Sequence, residues 1–424
     1  MTSVHPTIVK LIKKKFKKQH EFIPGKTRIP LIKPAFGPDE IIESLDSLLT
    51  TNVTMGVKVK RFEDLFSKYL KSNFASMVNS GSSANLVALS ALTNPWFSRR
   101  LKKNSEVITP AVTWATTVYP INNLNLKPKF VDINLENFCM KTDDLDEAVS
   151  SNTSLLLPVH LLGNVCDMSV IKEVSTKKDL LVMEDCCEAH GAEFKGKKVG
   201  TIGDIGTFSF FLSHHITTIE GGMIVTNNES LHELSKALRA FGWIRDLKRK
   251  DQFMKKYPEI DPRYMFVNTG YNLRPTEIQG AFGIHQIKKL ENFIKIRNEN
   301  TKYWSKKFLQ YEDYFILTKQ DPRTRSVDFC YPLTIRKNSP FNRKSLLEYL
   351  QKKKIETRPI MSGNFLEQPT IKFISHLKHG KLENSKLAMS NSFFFGNHHE
   401  IGMQEREYVV DVIAQFIERK LWKK

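Results

Sequence analysis

Two histidines, His214 and His215, stand side by side in FSFFLSHHITTIEGG (residues 208–222), where a phenylalanine-rich apolar run meets a glycine pair. A neutral imidazole accepts a proton near pH 7, so a histidine at the end of a buried strand is a candidate general base. A satisfied strand-end pair without chemistry is the plainer reading. Three other stretches share this kind of placement. NSGSSAN (79–85) brings glycine and serine hydroxyls to a helix start, where free amides and the helix dipole favour a phosphate, although serines there are often simple caps. PAVTWATT sets Trp114 just past a strand, where open α/β sheets bind ligands, while a lone tryptophan is more often core. MEDCCEAHG runs an apolar strand into Glu184 and Asp185. A carboxylate buried there needs a partner, either a structural donor or the protonated ring nitrogen of a cofactor.

A phosphate cradle, a flat aromatic, a strand-end aspartate, and Ser209 with a base just beyond it together describe a pyridoxal phosphate pocket. In such a pocket the aromatic stacks on the pyridine, the aspartate keeps the ring nitrogen protonated and the helix start takes the phosphate.

These residues need a scaffold. The middle of the chain alternates β-rich runs with helical patterns, which predicts a mostly parallel sheet flanked by helices. Strands are expected at EVITPAV, KPKFVDI, SLLLPVHLLG, LLVMEDCCEAHG, GTFSFFLS and GMIVTN. Helices are expected at NSGSSANLVALSAL, at ESLHELSKALRAF with an Asn or Ser cap, and at PTEIQGAFGIHQIKKLENF, where Thr276 and Gln279 fit a capping box. Past residue ~310 the pattern turns to a charged α+β region. The expected division is a basic arm over 1–28, a large domain over 29–300 and a small C-terminal domain over 301–424.

The 424 residues are 41% hydrophobic, enough for a large core. No apolar run approaches ~20 residues and no signal-peptide pattern opens the chain, so a cytoplasmic location is expected. Five cysteines with no C-x-x-C spacing argue against a disulfide framework and a thiolate metal site. The net charge of +19 includes six lysines between Lys10 and Lys18 in IVKLIKKKFKKQ, where Ile8, Leu11, Ile12 and Phe16 can share a helical face. Such a segment is most often a solvated arm, and otherwise touches an anionic membrane surface. No zinc finger, aromatic-basic RNA motif or recognition-helix pattern supports a nucleic-acid partner.

The chain resembles the DegT/StrS family of nucleotide-sugar aminotransferases, which have the aspartate-aminotransferase fold (fold type I). The likeness runs from about Ile29 to the C-terminus and rests on NSGSSANLVALSAL, ITPAVTWATT, PVHLLGNVCDM, EDCCEAHGAEFKGKKVGTIGDIGTFSF, EGGMIVTNN, GYNLRPTEIQGAFG and RPIMSGNFLEQP. It implies that Ser82, Ser83 and Ser209 bind the cofactor phosphate, Trp114 stacks on the ring, Asp185 meets the ring nitrogen and Glu188 lies near the phenolic oxygen. Asn272 would reach the phosphate of a neighbouring subunit, implying a homodimer.

Ordinary members carry a lysine five residues after that serine, bonded covalently to the cofactor; this chain has His214. The same exchange marks the 3-dehydratase branch, the GDP-4-keto-6-deoxymannose 3-dehydratases and CDP-4-keto-6-deoxyglucose 3-dehydrases. By this resemblance the cofactor is held non-covalently, L-glutamate converts it to pyridoxamine phosphate, and His214 acts as base while a nucleotide-linked 4-keto sugar loses its 3-hydroxyl. The second kind carries a cysteine-rich insertion for an iron–sulfur cluster. The matching stretch here, GWIRDLKRKDQFMKKYPEIDPRYMF, has no cysteine, so no cluster is expected. Leu212-Ser213 and Thr218-Ile219 replace the branch's usual Pro-Ala and Met-Gly, implying a different sugar pocket. His215 and Arg245 are candidate substrate contacts, Arg245 for glutamate's carboxylate or a substrate phosphate. The second histidine pair, in GNHHE, is not expected to hold a metal, because adjacent residues rarely point at one ion. A sugar aminotransferase and a non-catalytic binder are the alternative readings.

Overall fold

The computed structural model describes residues 3–17 and 21–421. Its central sheet contains β1 (Phe74–Val78), β2 (Glu106–Pro110), β3 (Lys127–Val131), β4 (Thr153–Leu156), β5 (Leu181–Asp185), β6 (Ile205–Ser209) and β7 (Gly222–Thr226). The spatial order is β1-β7-β6-β5-β4-β2-β3, with the short strand Leu377–Lys378 at the β3 edge. From β6 to that edge all pairings are parallel, while β7 runs antiparallel to both neighbours. The expected mostly parallel sheet is therefore present. β2, β5, β6 and β7 are buried along their whole lengths. That is why they read as apolar runs rather than alternating ones.

Around the sheet stand α2 (Pro38–Leu49), α3 (Val57–Leu70), α4 (Gly81–Thr93) and α5 (Ala115–Asn123), preceded by the N-terminal α1 (Pro6–Lys15). α4 is buried on nearly every side, which suits its run of Ala, Val, Leu and Ser. Ser80 caps it by accepting from the Ser83 amide. Asn228 caps the helix Glu229–Arg239 in the same way, and Thr276 and Gln279 form the capping box expected of them. The long helix expected beyond Thr276 is two helices, Glu277–Gln286 and Leu290–Phe308.

A second, antiparallel sheet joins Phe315–Ile316, Cys330–Ile335, Ser392–Gly396 and Thr357–Pro359. Trp304, Tyr331, Phe393, Phe395 and Phe416 fill the core against it. Ile29 belongs to this core and bridges Ile355, whereas Leu377–Lys378 returns to the large sheet. The helix Leu290–Phe308 spans both regions, with Leu290 and Ile294 in the large core and Trp304 and Phe308 in the small one. All five cysteines are free thiols and all but the half-buried Cys187 are buried. No described helix is long and apolar enough to cross a membrane.

Candidate active site

The carboxyl ends of β5 and β6 lie side by side, with Asp185 opposite Thr207, and together with the starts of α4 and α5 they gather most of the expected residues. Asp185 is buried. Its Oδ2 accepts from Asn85 Nδ2 (2.9 Å) and Thr117 Oγ1 (2.8 Å), and its Oδ1 from the Cys187 amide (3.1 Å). Each side-chain donor is itself fixed: Thr207 Oγ1 donates to Asn85 Oδ1 (2.6 Å), and Thr113 Oγ1 donates to Thr117 Oγ1 (3.0 Å). The carboxylate is thus a fully oriented acceptor, the state a cationic ring nitrogen requires.

Glu184 faces the other side of the strand. It is fully buried and accepts from His160 Nε2 and the amides of Gly200, Ile202 and Gly203, so its oxygens are spent on structure. His160, Glu184 and Cys186 bring three potential ligand atoms within 4.8 Å, but His160 and the amides of Gly200, Ile202 and Gly203 already occupy the Glu184 oxygens.

The helix start expected to cradle a phosphate depends on a close approach. A Cβ on Gly81 would lie 2.3 Å from Ser209 Cβ, and one on Gly222 would lie 2.2 Å from Ser80 O. Only glycines let α4 begin this near the ends of β6 and β7. Ser82 is exposed and its hydroxyl donates to Thr116 Oγ1 (3.0 Å). Ser83 is buried, its hydroxyl 2.9 Å from Ser80 Oγ. Ser209 Oγ accepts only a long bond from the Phe211 amide (3.4 Å). The first amides of α4 have no intrahelical acceptor, the condition under which a helix start takes an anion.

Trp114 precedes α5 and is 59% exposed, a large bare ring at a sheet end. The turn that carries it is tied to both halves of the site, through Thr116 to Ser82 and through Thr117 to Asp185. The acid, the aromatic and the cradle are therefore positioned as one unit. An exposed ring next in sequence to residues that bond a fixed acid and a glycine-dependent helix start suits a flat phosphorylated cofactor.

Glu188 accepts at Oε2 from the Leu162 amide (2.8 Å). Burial, with Asp185 adding to it, pushes its carboxyl up to about 8. At neutral pH it is therefore an acid with a proton to donate. Leu162 adopts a left-handed φ of 57° to present that amide.

His214 is half-buried in a box of rings, with centroids 6.0 Å from His190, 6.2 Å from Phe211 and 5.6 Å from Phe329. Burial first, then the positive charge of Arg297, holds its pKa down to about 3, so the imidazole is neutral. Nδ1 is buried without a partner, leaving Nε2 as the nitrogen open for proton transfer. His215 turns the other way. It is fully buried and its Nε2–H donates to Val327 O (2.8 Å).

Two expected residues lie apart from this cluster within the chain. Asn272 is exposed and accepts from Arg274 Nε (3.1 Å). Arg245 is exposed, 4.7 Å above the Trp243 ring and 3.4 Å from Asp246. The structure adds Asn85, Thr117 and Arg297 to the site. Asn85 was accessible to sequence reasoning, since it sits one helical turn after Gly81 and so shares its face.

The sequence profile of the DegT/DnrJ/EryC1/StrS aminotransferase family matches residues 37–414. A GDP-4-keto-6-deoxy-D-mannose 3-dehydratase of Escherichia coli O55:H7 is 39% identical over 377 residues, 88% of this chain and 96% of its own. Its counterpart from Yersinia pseudotuberculosis is 36% identical over 383 residues, covering 89% and 95%. A solved GDP-4-keto-6-deoxymannose-3-dehydratase with a trapped PLP-glutamate geminal diamine superposes with a TM-score of 0.85 at 37% identity, over 91% of this chain and 99% of that one. The chain therefore belongs to the DegT/DnrJ/EryC1/StrS aminotransferase family.

Proposed function

We propose that the protein is a 3-dehydratase of a nucleotide-linked 4-keto-6-deoxyhexose, dependent on pyridoxal and pyridoxamine phosphate, charged by L-glutamate, with His214 as its base. The observation that carries this reading is a neutral imidazole, open at Nε2, at the position where the family's aminotransferases carry a lysine amine. When bound, the cofactor supplies an electron sink and an amine carrier.

The chain's own residues do the rest. Ser82, Ser83, Ser209 and the amides opening α4 bind the phosphate, and Asn272 of a second copy reaches it in the proposed homodimer. Asp185, aimed by Asn85 and Thr117, holds the ring nitrogen, and Trp114 covers one face. Glu188 donates its proton toward the phenolic oxygen. Arg245 meets the glutamate carboxylate or a substrate phosphate. His214 takes a proton at Nε2 and holds it while the sugar's 3-hydroxyl leaves; imidazole cannot form the covalent link that an amine would. Guanosine diphosphate sugars are the first substrates to offer, because the relatives act on them.

The test is the mass of the product made from a nucleotide 4-keto-6-deoxyhexose with pyridoxal phosphate and glutamate. Loss of oxygen without gain of nitrogen supports 3-dehydration. An amine in place of the carbonyl oxygen would make the protein an aminotransferase, the second reading that the family allows.

A further inference from the structure

α1 (Pro6–Lys15) takes no part in the site. It is anchored at its start, where the Ser3 amide and hydroxyl donate to Asp46 Oδ1 (2.6 and 2.7 Å) and Val4 is buried. Beyond that anchor none of its residues is fully buried; Val9 and Ile12 are half-buried. Ile8, Leu11 and Phe16 are 42%, 62% and 43% exposed, an apolar stripe in open solvent. At about 100° per residue these three and Ile12 share one face, while Lys10, Lys13, Lys14 and Lys17 occupy the other. Lys15 falls within the apolar arc, where its long stem can lie along the stripe and lift its charge out. No acidic residue occurs before Glu21. A surface helix that merely covers a protein core shows the opposite pattern, with its apolar face buried.

We infer that α1 docks along an anionic membrane surface, with Ile8, Leu11 and Phe16 entering the headgroup region and the lysines meeting lipid phosphates. The charge pattern selects this occupant. It is of one sign, spread along the whole polar arc and carried on flexible lysine stems, which suits a diffuse anionic plane. A nucleic acid would use the lysines but not the apolar stripe. The contact is peripheral and reversible, because only a short helix inserts. It is independent of the reaction assigned to the pocket.

The test is cosedimentation of the full-length, cofactor-loaded protein with vesicles of phosphatidylcholine alone and of phosphatidylcholine mixed with phosphatidylglycerol. Binding is expected only with the mixed vesicles, and is released as salt rises from about 0.1 M to 1 M and the screening length shrinks from ~10 Å to ~3 Å. The double variants Lys13→Glu/Lys14→Glu and Leu11→Asp/Phe16→Asp should each lower the bound fraction at least about tenfold, with turnover unchanged. No binding to mixed vesicles, equal binding to both kinds, or either variant binding like wild type overturns the inference. So does conversion of a dimer to monomers by Leu11→Asp/Phe16→Asp in sedimentation velocity, which would show that a second copy covers the stripe.

Discussion

The guanidinium of Arg297 donates to the carbonyl oxygen of Phe329 at 2.8 Å, and the ring of that same residue rests 5.6 Å from the imidazole of His214. Arg297 is buried and also bonds the carbonyl of Asn397. The other buried arginine, Arg239, has Glu63 at 2.6 Å, whereas Arg297 has no such ion pair among the described residues. A buried guanidinium, with the Asp328 carboxyl as an acidic influence on it, is thus fastened to the residue whose ring lies beside the imidazole. Both act to keep His214 unprotonated.

Phe329→Ala removes that ring. Burial is the main cause of the low His214 pKa, so water entry raises it toward 6.5 and the acidic limb of the turnover profile should move to higher pH. The substitution costs about 3 kcal/mol of stability as a cavity. A folded variant whose limb stays where the wild type's lies would show that Phe329 does not shield the base.

His214→Ala should keep the cofactor and lower turnover by roughly 10²–10⁴, the scale of a positioned base. His214→Lys should instead form a covalent bond to the cofactor that borohydride fixes at residue 214, read by peptide mass. Near-normal activity in the first variant, or no adduct in the second, would refute the assignment.

Glu188 gives a prediction about stability. Its folded pKa is raised to about 8 from an ordinary 4.5. Between those values the folded protein holds a proton that the unfolded chain has lost, so stability falls as pH rises through this window. Glu188→Gln cannot titrate. Denaturant melts of the cofactor-free proteins should therefore find the variant gaining on wild type by about 2–4 kcal/mol from pH 4.5 to pH 8. Parallel curves would mean that Glu188 titrates normally.

Gly81→Ala drives a methyl group into Ser209, and the cradle cannot keep its shape. Cofactor affinity should drop at least about tenfold, by the loss of aligned phosphate donors. Adding Ser209→Gly frees the space but not the hydroxyl, so the double variant should recover only part of the loss. Full affinity in Gly81→Ala, measured by cofactor fluorescence, would place the phosphate elsewhere.

Buried parallel strands are legible as apolar runs, and six of the seven long strands of the sheet were expected from that signal. β1 was not, because its FASMV is diluted by Ala75 and by Ser76, which is buried and pairs with His232. The break between Gln286 and Leu290 was also hidden, since the apolar period runs through IHQIKKLENF without a glycine or proline. In the site, residue types at strand ends pointed to Asp185, Trp114 and the serines. What the chain alone could not settle was which of two adjacent histidines faces the pocket. His215 is held in the core by a bond to the carbonyl of Val327, more than a hundred residues away. Arg297 was invisible for the same reason, as its partners come from distant segments.

The helix Leu290–Phe308 is rooted at one end in the large core and at the other in the small one, and Arg297 fastens its middle to the segments around Phe329 and Asn397. A hinge cannot open across it without bending the helix or stripping those carbonyls of their donor. The large and small cores are therefore mechanically joined through this one helix.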